Sequence, residues 1–154
     1  MYQLQQYGFS PKKSTDQQIT NLQLTLEIMR AQQQDFVVLF IDLKKAFDSA
    51  RHVDIFNLLM GYNVPKDVIE LLWKIYEEDG TVYLINSEKQ RPVCNQKGVK
   101  QGASTSPLLF NLLIQQIIIN FQRQRLGVFI DDVYVGLLAF ADDIALICSS
   151  YAEA

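Results

Sequence analysis

Three aspartates stand where carboxylates could act together. Asp142 and Asp143 lie at the junction of two apolar runs, Leu137-Leu-Ala-Phe-Ala and Ile144-Ala-Leu-Ile147, a pattern that predicts a hairpin with the acidic pair at its tip. Adjacent carboxylates repel, and this turn lacks the glycine that a tight two-residue hairpin favours, so turn chemistry alone accounts for the pair poorly. A divalent cation would relieve the repulsion. Aspartates are also ordinary turn residues, and the pair in isolation decides nothing. Upstream, however, the wholly apolar run Phe36–Ile41 ends in Asp42, and a buried strand would carry that carboxylate to its end. Catalysis by two metal ions about 4 Å apart needs hard oxygen ligands converging from separate strands. Asp42, Asp142 and Asp143 are therefore the candidate catalytic and metal-ligating set.

The elements that must position them can be read from period and punctuation. Tyr2–Lys13, polar and aromatic with a Ser-Pro step, reads as an irregular or extended lead-in. Ser14 and Gln17 form a capping-box pattern, followed at helical spacing by Ile19, Leu22, Leu26 and Met29 as one buried stripe. After the strand ending in Asp42, Arg51–Met60 reads as a short amphipathic helix stopped by Gly61. Pro65 then starts another, with Ile69, Leu72, Trp73 and Tyr76 as its core face. His52 is the only histidine and is assigned no chemical role. Thr81–Ile85 and Gln90–Asn95 are β-prone runs around Asn86-Ser-Glu-Lys89, a hairpin feeding a loop that begins at Gly98. Ser106 and Pro107 suit the cap and first turn of a long helix, in which Phe110, Ile114, Ile117 and Phe121 make the buried stripe. Val128–Val135 leads into the final hairpin. The order is α+β, an antiparallel sheet backed by helices.

Composition bounds the function classes. The 154 residues, 49% of them hydrophobic, can bury one sizeable core, which predicts a single globular unit over 1–154 rather than a disordered chain. The 14 basic and 17 acidic residues, net charge −3, lack the basic footprint of a self-sufficient nucleic-acid binder. Cys94 and Cys148, the only cysteines, are too few for a metal cluster and read as free thiols in a reducing compartment. No basic stretch followed by an apolar run opens the chain, and no segment is apolar for the length of a membrane span, so an intracellular protein, of cytoplasm or nucleus, is expected.

The motifs in their order carry a resemblance. Asp42-Leu-Lys-Lys-Ala-Phe-Asp48, then Gly98-Val-Lys-Gln-Gly-Ala-Ser-Thr-Ser-Pro-Leu-Leu-Phe-Asn111, then Phe140-Ala-Asp-Asp143 resembles motifs A, B and C of reverse transcriptases. The likeness is strongest to the group II intron and non-LTR retrotransposon branch. Gln6-Tyr-Gly-Phe-Ser-Pro-Lys-Lys-Ser-Thr15 is similar to the segment that precedes motif A there. The resemblance implies the palm of a polymerase, with palm core at about 36–60 and 98–150, an adjoining part of the fingers and no thumb. It implies Mg²⁺, with Mn²⁺ as an alternative, on Asp42 and Asp142 as principal ligands and Asp143 as a less direct one. It implies nucleotide contacts from Leu43, Phe47, Gln101 and Gly102, with the Phe47 ring excluding a ribose 2′-hydroxyl. Asp48 matches motif A as a cap or structural acceptor. Partners would be an RNA template, a DNA primer and deoxynucleoside triphosphates, with fingers and thumb segments or a partner chain completing the grip. The competing expectation is a non-catalytic subunit in a larger nucleic-acid assembly. A small sheet-based RNA-binding module is disfavoured, because no basic aromatic surface motif is evident.

Overall fold

The computed structural model describes residues 5–153 apart from 78, 79, 82, 83, 86, 87, 90–92 and 101, and for 80, 81, 84, 85, 88, 89, 93 and 94 the backbone alone. Its elements in order are α1 (Thr15–Ala31), β1 (Val37–Asp42), α2 (Ala46–Ser49), α3 (His52–Gly61), α4 (Lys66–Glu77), β2 (Gly80–Thr81), β3 (Leu84–Ile85), β4 (Glu88–Lys89) and β5 (Val93–Cys94), then α5 (Ser106–Arg123), β6 (Phe129–Ile130), β7 (Val133–Tyr134), β8 (Leu137–Phe140) and β9 (Asp143–Cys148). Two compact units result, one of 1–44 with 111–154 and one of 45–110, the division falling within α5.

The first unit carries a three-stranded antiparallel sheet in the order β1-β9-β8. Its core joins Met29 of α1 to Val128, Leu138 and Ile147, with Leu22, Leu26, Val38 and Ala145 packed around them. The expected α1 stripe is therefore real over Leu22, Leu26 and Met29, but Ile19 is 52% exposed. The Ser14–Gln17 capping box forms as the sequence predicts, each side chain accepting from the other's backbone N–H. β1 departs from its expected burial. It is an edge strand with β9 as its hydrogen-bonded neighbour, and Phe40 is 74% exposed. β9 sits between two strands, with Ile144, Leu146, Ile147 and Cys148 enclosed, and β8 is buried as well, at Leu137, Leu138 and Ala139.

Glu153 fastens the far end of β9 by accepting from the Ser149 N–H and hydroxyl and from the Gly127 N–H. Those donors, the Ser149 backbone first, hold its carboxyl below the usual range, while burial pushes the Cys148 thiol up, with Glu153 adding to the effect. A carboxylate with a depressed folded pKa stabilises above its unfolded value and loses that contribution as pH falls through the folded one. Glu153→Gln should thus lower the melting temperature slightly at pH 7, with the difference closing below pH 4. Solvent screening keeps the effect under about 1 kcal/mol.

Three helices end without a glycine in the left-handed position. Gln33, Asn63 and Arg125 take φ of 55°, 54° and 55°. In each case the following N–H reaches back to close a Schellman motif: Gln34 to the Met29 carbonyl, Val64 to Leu59 and Leu126 to Phe121. Gly61, expected to stop α3, is instead its last helical residue.

In the second unit Ile55, Phe56 and Leu59 of α3 and Tyr76 of α4 are buried, and the Phe56 ring packs 4.8 Å from Trp73. Trp73, read as core, is 48% exposed. β2 pairs with β5 and β3 with β4, all antiparallel. Glu88-Lys89, read as part of the connection between the two runs, is instead strand β4, and 82, 83, 86, 87 and 90–92 lie outside the described residues. Ser106 does not cap α5: it is the first helical residue, and its hydroxyl donates to the Lys100 carbonyl at 2.6 Å. The buried apolar positions of α5 are Leu109, Phe110, Ile114 and Ile118, whereas Ile117 is 37% exposed. Back in the first unit, Val128–Val135, expected to lead into the final hairpin, does so and also contains the β6–β7 hairpin.

Candidate active site

The register of β1 against β9 runs from Val37 opposite Cys148 to Asp42 opposite Asp143. The last rung of the pair is thus two carboxylates facing each other at the open end of the sheet, and both residues are exposed. Residues directly opposite share a face of the sheet. Asp42 and Asp143 therefore lie on the same face as Val38, Ala145 and Ile147, the face against which α1 packs. A groove of about 290 Å³ runs beside them, lined by Thr15, Gln18 and Leu22 of α1 and by Phe40 and Phe140.

Asp142 stands one residue earlier, in the turn that joins β8 to β9. That turn comprises Ala141 and Asp142, between the rung Phe140–Asp143, and Ala141 has φ 57°. The β6–β7 hairpin offers a comparison within the molecule. There Asp131 and Asp132 are the two turn residues between Ile130 and Val133, and Asp131 itself takes the positive φ of 51°. Aspartates in that hairpin are ordinary turn chemistry. In the β8–β9 hairpin the acidic pair is displaced by one position, an alanine takes the strained place, and a carboxylate enters the strand opposite another.

Asp42, Asp142 and Asp143 make no ion pair with a lysine or arginine among the described residues. Nor, among the described residues, do three or more His, Cys, Asp or Glu side chains converge as a ready-made metal cage. What the structure brings together is the Asp42–Asp143 pair, with Asp142 beside it in the turn. This fits Mg²⁺, which keeps waters and takes one or two carboxylates plus substrate phosphates rather than an all-protein shell.

The remaining predicted residues belong to the second unit, except Leu43, a half-buried residue immediately after β1. Phe47 lies in α2, its ring stacked on Phe110 at 4.5 Å and 18°. Asp48 lies within α2, and α3 has Arg51 rather than Asp48 at its N-cap. Gly102 takes φ 88° with open space where a Cβ would be, so it is the backbone conformation that calls for glycine. Gln101 lies outside the described residues. The start of this loop is tied to the α2–α3 junction. Gly98 N–H donates to the Ala50 carbonyl and Val99 N–H to Phe47, while His52 Nε2 lies 2.8 Å from the Gly98 carbonyl. His52 is thus structural.

This order of parts is matched among known proteins. The sequence profile of the family described as reverse transcriptase (RNA-dependent DNA polymerase) matches residues 1–154. The chain belongs to that family. It is 29% identical over 141 residues to the Pol polyprotein of the type-2 retrotransposable element R2DM of Drosophila melanogaster, covering 92% of this chain and 13% of that polyprotein. It is also 29% identical over 120 residues to a type-1 R2 element polyprotein of Popillia japonica, covering 77% and 17%. These are relatives on the retrotransposon side of the reverse transcriptases, and the chain spans a small fraction of their length. Among solved structures, apo telomerase from Candida tropicalis, truncated from its C-terminal domain, superposes with a TM-score of 0.63 at 14% identity over 91% of this chain and 30% of that one. That likeness concerns the fold: mixed helices and antiparallel sheet of the palm and fingers kind.

The lead-in is where sequence reading found least. Gln6 bridges Ala139 of β8, and its side chain is 1% exposed. A buried glutamine in a polar stretch gives no periodic signal; the only hint was its place in the segment preceding motif A.

Proposed function

We propose that the chain is the core of an RNA-directed DNA polymerase that adds deoxynucleotides to a primer 3′-hydroxyl on an RNA template. The observation that carries this reading is the Asp42–Asp143 rung at the open end of the sheet, with Asp142 beside it, in a chain of this family. Those three carboxylates would hold Mg²⁺, or Mn²⁺ in its place. Bound metal would supply Lewis-acid activation of the hydroxyl and charge neutralisation at the triphosphate. The protein's own part is positioning: β1 and β9 fix Asp42 and Asp143 by six consecutive register pairs, so little motion is left to freeze at the moment of reaction.

Phe47 would set sugar selectivity, with Leu43, Gln101 and Gly102 as further contacts to the incoming nucleotide. Its stack on Phe110 would keep the ring from yielding to an added hydroxyl. Phe47→Val should relax discrimination against ribonucleotides while some deoxynucleotide incorporation remains. Losing the aromatic pair should also cost about 1 kcal/mol of stability. Unchanged sugar selectivity, measured as the ratio of incorporation efficiencies, would leave Phe47 with packing alone.

The function as a whole is tested by primer extension on an RNA template. The 154-residue chain alone is expected to extend weakly and without processivity, because holding a duplex requires phosphate neutralisation and 14 basic residues against 17 acidic supply little of it. Addition of fingers and thumb segments, or of a partner chain that grips the duplex, should raise extension strongly. Robust processive extension by the chain alone would contradict this division of labour, and no extension in any combination would favour the non-catalytic reading.

A further inference from the structure

We infer that Gln6 is a positioning residue of the candidate active site: its carboxamide grips the backbone of Ala141 on both sides and so holds the turn that presents Asp142 and Asp143. The inference rests on the proposed metal-binding role of those carboxylates. Its geometry does not.

Ala141 is an L-residue in the left-handed region, φ 57°, where its Cβ crowds the backbone and the conformation is unfavourable unless something compensates. At Gln33, Asn63 and Arg125 the helix end compensates, through the Schellman bonds. At Asp131 the residue is of a type that tolerates this region. Ala141 has neither a helix end nor a polar side chain. What it has is Gln6. The Ala141 N–H donates to Gln6 Oε1 at 2.9 Å, and Gln6 Nε2 donates to the Ala141 carbonyl at 2.8 Å. One primary amide thus satisfies both polar groups of the strained residue. A carboxylate has no donor for the second bond, and an ammonium or guanidinium has no acceptor for the first. The Gly8 N–H also donates to Gln6 Oε1 at 2.8 Å, so the oxygen accepts from two N–H groups and the amide can sit only one way round.

The clamp is itself braced. Gln18 Nε2 donates to the carbonyls of Gln5 and Ala139, and Asn111 Nδ2 donates to the Gly8 carbonyl. Gly8 lies against the turn so closely that a Cβ on it would fall 2.1 Å from the Ala141 nitrogen, so only glycine lets this segment seat. Through Ala141 the clamp sets the backbone entering Asp142 and, one residue on, the Asp42–Asp143 rung.

The plainer alternative is that Gln6 merely ties the lead-in to β8. The two differ in what rescues its loss, since glycine at 141 reaches positive φ without help. The experiment measures Mn²⁺ affinity by electron paramagnetic resonance, and hydrogen exchange at residue 141, for the wild-type chain, Gln6→Met, Gln6→Glu, Ala141→Gly and the Gln6→Met/Ala141→Gly double variant. Gln6→Met is expected to weaken Mn²⁺ about tenfold, the scale of losing a buried hydrogen-bond partner, and to expose the Ala141 amide. Ala141→Gly in the same chain should restore most of the affinity. Gln6→Glu keeps the acceptor and loses the donor, and should fall between. Equal Mn²⁺ affinity in Gln6→Met, or a loss that Ala141→Gly does not relieve, would overturn the inference. If the wild-type chain binds no Mn²⁺, the metal reading fails; the clamp then stands or falls on whether Ala141 exchange is slow in wild type and fast in Gln6→Met.

Discussion

Asp42→Asn and Asp142→Asn are each expected to lower nucleotidyl transfer by roughly a thousandfold or more in the active gene product, while leaving the chain folded. The size follows from what the carboxylates are proposed to hold, since charge stabilisation by metal at a transferring phosphoryl group is worth several kcal/mol. The sparing of the fold follows from place. Asp42 is exposed at the end of the sheet and Asp142 is half-buried in the turn, and neither pairs with a lysine or arginine among the described residues, so their removal breaks no ion pair there. Neutralising Asp42 also relieves its repulsion with the facing Asp143, and neutralising Asp142 relieves repulsion with its chain neighbour. Melting temperature in metal-free buffer should hold or rise. A marked fall would show that the carboxylates serve the fold instead.

Ile147→Ala should do the reverse, unfolding much and saying little about chemistry directly. Ile147 is fully enclosed in the cluster of Met29, Val128 and Leu138. Truncation of such a residue costs about 2–5 kcal/mol, or roughly 5–20 °C in a domain of this size. Phe40→Ala is the control from the neighbouring strand. Although larger, Phe40 is 74% exposed, and its truncation should cost under about 1 kcal/mol. Thermal or urea unfolding of the two variants side by side checks both numbers. A larger loss at Phe40 would restore the buried reading of β1.

These two residues also mark where sequence reading stops. The apolar run into Asp42 and the pattern around Asp142 and Asp143 announced both strands and the carboxylates at their ends, because strand period and charge placement are local properties. Which strand is central is not local: it depends on β9 pairing with both β1 and β8, and so the apolar run reads as buried while Phe40, on the edge strand, is exposed. The same holds for Ile117, which shares the apolar spacing of α5 but not its buried side, and for Gly61, a residue that often stops helices but here yields the left-handed position to Asn63. Gln6 was illegible for another reason. Its partners, the N–H and carbonyl of Ala141, lie 135 residues away and are backbone groups that every sequence contains. The second acidic pair, Asp131-Asp132, shows that the dipeptide alone is uninformative, since only the register separates a turn from a site.

The measurement that bears most directly on the central claim is titration of Mn²⁺ into the purified chain, wild type against the Asp142→Asn/Asp143→Asn double variant. Wild type is expected to bind weakly and saturably, more tightly with a deoxynucleoside triphosphate whose phosphates complete the coordination, and the variant not at all. Equal binding by both, or binding that the nucleotide does not strengthen, would contradict that claim.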